Sequence, residues 1–196
     1  LASNSPAPGG GSVAALAGSI AASLCSMVGN LTFGKKQYKL VWAEAEELSF
    51  KAHTLKNEFL ELINKDTDAF NTLMAAIKMP SGTDEEKTAK EKATLDATKL
   101  AILSPFQMMQ LSEKVLPLIS RMSEIGNTNA LSDIAVSTLM LEGALKGAYY
   151  NILINLKDFS DESFKKDILA KSEVILNKVD SEIKTLRVRL ETLLKD

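Results

Sequence analysis

Residues 36–79 read KQYKLVWAEAEELSFKAHTLKNEFLELINKDTDAFNTLMAAIKM, with no proline and no glycine. Apolar residues recur there at spacings of three and four: Val41, Ala45, Leu48, Ala52, Leu55, Phe59, Leu62, then Ala69 or Phe70, Leu73 and Ile77. That period is one face of an α-helix. Unbroken, the helix spans roughly 65 Å at about 1.5 Å per residue. One member of the seam is polar, Asp66. A carboxylate on an apolar seam is costly unless it is paired or protonated.

The rest of the chain reads the same way. Before the long helix, 12–33 is one apolar helix stopped at Gly34. After it, Pro80-Ser81-Gly82-Thr83 ends the helix, and Asp84-Glu85-Glu86 places acidic residues where a helix start favours them. That helix is expected to end near Leu103. A new one is expected to begin at Pro105 and reach Ile125, with a kink at Pro117. Residues 126–129 form a loop, 131–156 a helix apolar on most faces, and 158–161 a turn. A last helix over 162–194 carries Ile168, Ile175, Val179, Ile183, Leu186, Leu190 and Leu193 on one stripe. No stretch alternates like a strand. The expected fold is all-α: a bundle of about five to six helices, with long antiparallel members.

Composition bounds the class. The chain has 196 residues, 45% hydrophobic and 24% charged, with formal net charge −2. That suits one globular domain over residues 1–196. The near-neutral balance gives no reason to expect nucleic acid or an anionic membrane surface as partner. Cys25 is the single cysteine, which excludes an internal disulfide. It reads more readily as a small buried hydrophobe than as a nucleophile. With one histidine, His53, the chain cannot supply an ordinary structural zinc site. Residues 13–33 are long enough to span a membrane. Their alanines and serines, with Gly18, read instead as the central buried helix of a soluble domain. Two helices apolar nearly all round need cover on every side. A homodimer using the small-residue helices is therefore expected.

The polar residues carry the chemistry. Pro6-Ala7-Pro8-Gly9-Gly10-Gly11-Ser12 runs straight into the first helix. Three glycines are costly in backbone entropy, and they are explained if something approaches the backbone closely. Ser12 is the expected N-cap. The loop offers free N–H groups to an anionic group, or it is a tight turn before a packing helix. Asp66, if its pKa is raised by burial, is a usable general acid or base. A structural aspartate bonded to a neighbouring helix is the alternative. On helix 131–156, Gly143, Gly147, Asn151 and Asn155 stack at intervals of four. They make either a ligand face or a helix crossing. Asn127 and Asp133 cluster where that helix starts, and Lys35 and Lys36 follow Gly34.

These segments together resemble the cyclodeaminase domain of formiminotransferase-cyclodeaminase and the related stand-alone cyclodeaminase/cyclohydrolase proteins. The resemblance is carried by Pro8-Gly9-Gly10-Gly11-Ser12-Val13-Ala14-Ala15 and Leu31-Thr32-Phe33-Gly34-Lys35-Lys36-Gln37-Tyr38, then by Asp66-Thr67-Asp68-Ala69-Phe70 and the Met79-Pro80 turn with Glu85-Glu86-Lys87. It continues through Gly126-Asn127 and Ser132-Asp133-Ile134-Ala135-Val136 to Gly147-Ala148-Tyr149-Tyr150-Asn151-Ile152-Leu153-Ile154-Asn155-Leu156. It covers essentially the whole chain. Family members carry a short helix ahead of the glycine loop, so the N-terminal helix is expected to be truncated at Leu1.

The resemblance implies a cytoplasmic, dimeric, all-α enzyme. Its substrate would be a tetrahydrofolate derivative, with or without a polyglutamate tail, and it would need no metal, nucleotide or redox cofactor. The reaction is ammonia release from formimidoyl-tetrahydrofolate with closure of the methenyl bridge, or hydrolysis of that bridge. A catalytically silent folate-binding protein is the further alternative. The family's acid for ring closure falls on Asp66; a second family acid, one turn earlier, is replaced by Asn64. Gly9, Gly10, Gly11, Ser12, Asn127, Asp133, Asn151 and Asn155 are expected to contact the substrate, and Lys35 or Lys36 its glutamate tail.

Overall fold

A computed structural model describes residues 1–2 and 4–195. The described residues form five α-helices: α1 (Gly10–Thr32), α2 (Trp42–Ile77), α3 (Asp84–Ile125), α4 (Leu131–Leu156) and α5 (Glu162–Leu193). Short 3₁₀ turns at Lys36–Val41 and Thr128–Ala130 precede α2 and α4. The described residues contain no strand.

α1 is the axis of the bundle. It is long and apolar enough to cross a membrane. In the fold it lies between α2 and α4, burying Ala14, Ala15, Ala21, Ala22, Cys25 and Val28. Its small residues let the neighbours come close. A Cβ on Gly18 would stand 2.3 Å from the Phe59 ring of α2, so only glycine admits that ring. On the other side, Ser137 of α4 donates its hydroxyl to the Ala21 carbonyl at 2.7 Å. The seam of α2 is buried at Ala45, Ala52, Leu55, Phe59, Leu62 and Ala69. The stripe of α5 is buried from Ile168 to Leu190, whereas Leu193 is exposed. Cys25 lies fully inside, where burial pushes its thiol up to about 12. A thiol so protonated is no nucleophile at neutral pH.

Three boundaries differ from the expectation. Residues 36–79 are not one helix, because a 3₁₀ turn with a non-helical Tyr38 breaks the chain ahead of Trp42. α1 starts at Gly10, so its N-cap is Gly9 and Ser12 sits inside the first turn. The break expected between Leu103 and Pro105 is absent: α3 runs 42 residues with Pro105 and Pro117 inside it. A proline removes the N–H that the carbonyl four residues earlier would accept. For Pro105 that carbonyl belongs to Ala101, and Asn155 of α4 donates its Nδ2 there at 2.9 Å. Buried Ile102, Phe106, Met108 and Met109 pack the helix through the site of the missing bond. At its start, Thr83 and Glu86 form a reciprocal capping box.

Candidate active site

The glycine loop, α2 and α4 meet at the N-terminal end of α1. They enclose a cavity of about 380 Å³ whose lining includes Gly9, Gly10, Gly11, Asp66, Phe70, Met74, Ala101, Asn151 and Asn155. Asp66 is the one ionisable side chain in that lining. What approaches the glycine backbone is this aspartate. A Cβ on Gly11 would fall 2.2 Å from Asp66 Oδ1 and 2.6 Å from its Cγ. Gly9 and Gly10 are not so confined; a Cβ on either meets its nearest neighbour at 3.6 and 3.4 Å.

Asp66 is half-buried, and Ser12 holds it. The Ser12 hydroxyl donates to Oδ2 at 2.9 Å, and its oxygen lies 3.3 Å from Thr67 Oγ1. Burial raises the Asp66 carboxyl above the ordinary aspartate range, and the hydrogen bonds from Ser12 oppose that rise. The positive end of the α1 dipole acts in the same sense as Ser12. The group is thus neither a free surface carboxylate nor a locked ion pair, and it can hold or release a proton.

The two asparagines frame the opposite wall from α4. Asn151 donates Nδ2 to the Gly147 carbonyl at 2.8 Å, and Asn155 donates to Ala101 as described. Gly147 serves a helix crossing, since a Cβ there would meet Ala14 at 3.1 Å; Gly143 faces open space. Gly9, Gly10, Gly11, Asp66, Asn151 and Asn155 therefore share one cavity. Ser12 joins them through Asp66 but is itself buried.

The fold does not bring Lys35, Lys36, Asn127 or Asp133 to that cavity. Lys35, Lys36 and Asn127 lie at the other end of α1, a helix of 23 residues and so about 34 Å long. Asp133 precedes Asn151 on α4 by 18 residues, about 27 Å. Lys35 and Lys36 are exposed, and Asp133 is in the first turn of α4. Asn127 is buried and ties the α3–α4 turn to α1: its N–H donates to Thr32 Oγ1 at 2.8 Å and its Nδ2 to the Leu31 carbonyl at 3.2 Å. His53 is exposed on α2. Among the described residues, no group of three or more His, Cys, Asp or Glu side chains is placed to hold a metal ion.

Sequence reading missed the apolar wall of Phe70, Leu73 and Met74, and it missed Thr67. The wall was legible only as core seam. Thr67 carried no signal beyond adjacency to Asp66. A wider cleft of about 890 Å³ is lined by Lys87, Lys90, Glu91, Lys92, Leu95, Asp158 and Phe159 among others. It is larger and also carries an aspartate, Asp158, beside Phe159, but the glycine loop and the Ser12-bonded, half-buried Asp66 are found at the smaller cavity, which is therefore the candidate site.

Gly11→Ala is expected to push the Asp66 carboxyl out of place while the helices stay folded, because alanine suits a helix better than glycine. Unchanged circular dichroism with turnover reduced at least about tenfold is the expected pair of results. Full turnover would show that the tight approach to Gly11 is not needed.

The chain belongs to the formiminotransferase-cyclodeaminase family, whose model matches residues 1–174. It is 36% identical over 176 residues to the methenyltetrahydrofolate cyclohydrolase of Methylorubrum extorquens, covering 90% of this chain and 85% of that protein. It is 35% identical over 162 residues to the formimidoyltransferase-cyclodeaminase of Rattus norvegicus, covering 83% of this chain but only 30% of the rat protein. Its fold matches the crystal structure of formiminotetrahydrofolate cyclodeaminase from Thermotoga maritima with TM-score 0.81 and 28% identity, covering 99% of this chain and 91% of that one.

Proposed function

We propose that this chain is a folate one-carbon enzyme that closes the methenyl bridge of formimidoyl-tetrahydrofolate and releases ammonia. The observation that carries the reading is Asp66: one protonatable carboxyl, raised by burial, in a cavity walled by apolar side chains and asparagine amides. The folate N10 attacks the formimidoyl carbon and gives up its proton. The formimidoyl nitrogen enters as the protonated amidinium (=NH₂⁺), becomes an amine on the tetrahedral carbon, and departs as ammonia with its bonding pair once one further proton reaches it. Asp66 in its protonated form supplies that proton and is left as the carboxylate that Ser12 stabilises; the N10 proton restores it. The scheme needs no metal or redox group.

A second reading is hydrolysis of the methenyl bridge, with Asp66 as base toward water. Similarity to the Methylorubrum extorquens cyclohydrolase along 85% of that protein's length favours it. One assay separates the two. Appearance of the methenyl chromophore from formimidoyl-tetrahydrofolate, with ammonia, supports the deaminase. Loss of added methenyl-tetrahydrofolate faster than in buffer, without the first activity, supports the cyclohydrolase. Tight folate binding with neither activity would leave a binding protein.

We further propose that the working form is a homodimer. Val13, Leu16, Ile20, Met27 and Leu31 recur along the exposed side of α1, and Val136, Leu139 and Ile154 along that of neighbouring α4. Such a continuous apolar face is unusual on a monomer. A second copy laid along it offers a route by which the end carrying Lys35 and Lys36 reaches another copy's cavity. Sedimentation at micromolar concentration is expected to give twice the chain mass; a monomer would remove the proposal.

A further inference from the structure

We propose that Ser12 and Thr67 are positioning residues whose hydroxyls form a two-way hydrogen-bond device, serving the Asp66 carboxyl in both its charged and its protonated form. The inference rests on the reading of Asp66 as the proton carrier.

The geometry follows from three oxygens. Ser12 Oγ stands 2.9 Å from Asp66 Oδ2 and 3.3 Å from Thr67 Oγ1. Thr67 spends its own proton on the Ile63 carbonyl, one helical turn back, at 3.1 Å. Its oxygen therefore faces Ser12 as an acceptor. A serine hydroxyl has one proton to give and lone pairs to receive. When Asp66 is charged, Ser12 donates to the carboxylate. When Asp66 takes up a proton, Ser12 can turn its own proton to Thr67 Oγ1 and accept from the carboxyl. No proton is created or lost, and no hydroxyl is stranded in either state. A buried donor left without a partner is costly, and Ser12 is only 4% exposed. Thr67→Val would leave the protonated state unserved; Ser12→Ala would strip both states, the charged one at the greater cost because a hydrogen bond to an ionised group is the stronger.

Among the described residues, no other charged side chain lines this cavity. The faces of α1, α3 and α4 that line the cavity present Gly10, Gly11, Ala101, Asn151, Ile154 and Asn155, all uncharged. On α2 the nearest charged neighbours in sequence are Lys65, which pairs with Glu61, and Asp68; both are exposed. The causes that set the Asp66 proton affinity are burial and Ser12, with no charged group among them.

The two hydroxyls therefore act with opposite sign. Ser12→Ala removes the donor to the carboxylate and is expected to raise the pH at which Asp66 titrates, by about one unit. Thr67→Val removes the acceptor needed by the protonated state and is expected to lower it. Both should reduce kcat more than they change KM, Ser12→Ala by roughly tenfold or more. The titration is read twice: from the pH dependence of kcat, and from the ¹³C shift of the Asp66 carboxyl, assigned by its disappearance in Asp66→Asn. A packing role alone would not displace a titration in opposite directions in two variants. Displacement in one direction by both, or in neither, overturns the proposal. If Ser12→Ala does not fold, an unmoved or raised titration in Thr67→Val overturns it alone. The carboxyl signal does not depend on turnover. Near-normal turnover in Asp66→Asn would therefore sink the proton-carrier reading and leave the hydrogen-bond device to be judged by the titrations.

Discussion

Asp66→Asn is expected to lower turnover by about 10²–10⁴-fold, the range that a positioned acid or base contributes. Asparagine keeps the shape and an oxygen to accept from Ser12, so the cavity should hold its form while losing the proton. KM should change much less than kcat, because the loss falls on the reaction step and not on binding. The substitution should not weaken the fold at neutral pH. Burial raises Asp66 above its ordinary value, so the folded state keeps the proton to a higher pH than the unfolded chain. Stability from this group therefore falls as pH rises from the ordinary aspartate range through the raised folded value. The neutral asparagine escapes that loss. Asp66→Asn should be at least as stable as the parent at pH 7, the difference vanishing in acid. Turnover within a few-fold of the parent would remove Asp66 from the chemistry of either proposed reaction.

Phe59→Ala is expected to cost about 3–5 kcal/mol, as truncation of a buried aromatic ring generally does. The ring is fully buried and lies against Gly18, where α1 and α2 come closest. The gap cannot fill, because glycine has no side chain to move into it. Against a typical total of about 5–15 kcal/mol, this single change should bring the protein near its stability limit. In urea the midpoint should drop sharply with an unchanged slope. A loss under about 1 kcal/mol would mean that the two helices close up on one another, and that the Gly18–Phe59 contact is not what sets their separation.

Much of the bundle was legible because its signals are local. The apolar period over 45–69 and over 168–190 marked the buried faces of α2 and α5 directly, whereas Ile77 at the end of the α2 seam is exposed. Asp66 stood out because it breaks that period, and the glycine run because backbone freedom is wasteful unless something approaches. Pro105 misled because a proline removes one hydrogen bond in any helix, and nothing in its neighbourhood shows who replaces it. The replacement comes from Asn155, 54 residues away. Sequence spacing grouped that asparagine with Asn151 and left open whether the pair made a ligand face or a helix crossing. The structure shows it lining the cavity and mending α3 with the same side chain.

The sequence by itself determined that the chain is all-helical, which faces of its helices are apolar, and that a carboxyl sits where a methyl group would be expected. Those follow from period and residue type, and they need no knowledge of which helix meets which. Only the tertiary structure decided that the object crowding Gly11 is Asp66. Only the tertiary structure gave Ser12 to that carboxyl instead of to the helix end, and left Lys35, Lys36, Asn127 and Asp133 outside the cavity. Each depends on how α1 lies across α2 and α4. That placement is set by the Gly18–Phe59 and Gly147–Ala14 approaches, contacts between residues far apart in the chain that no local pattern encodes.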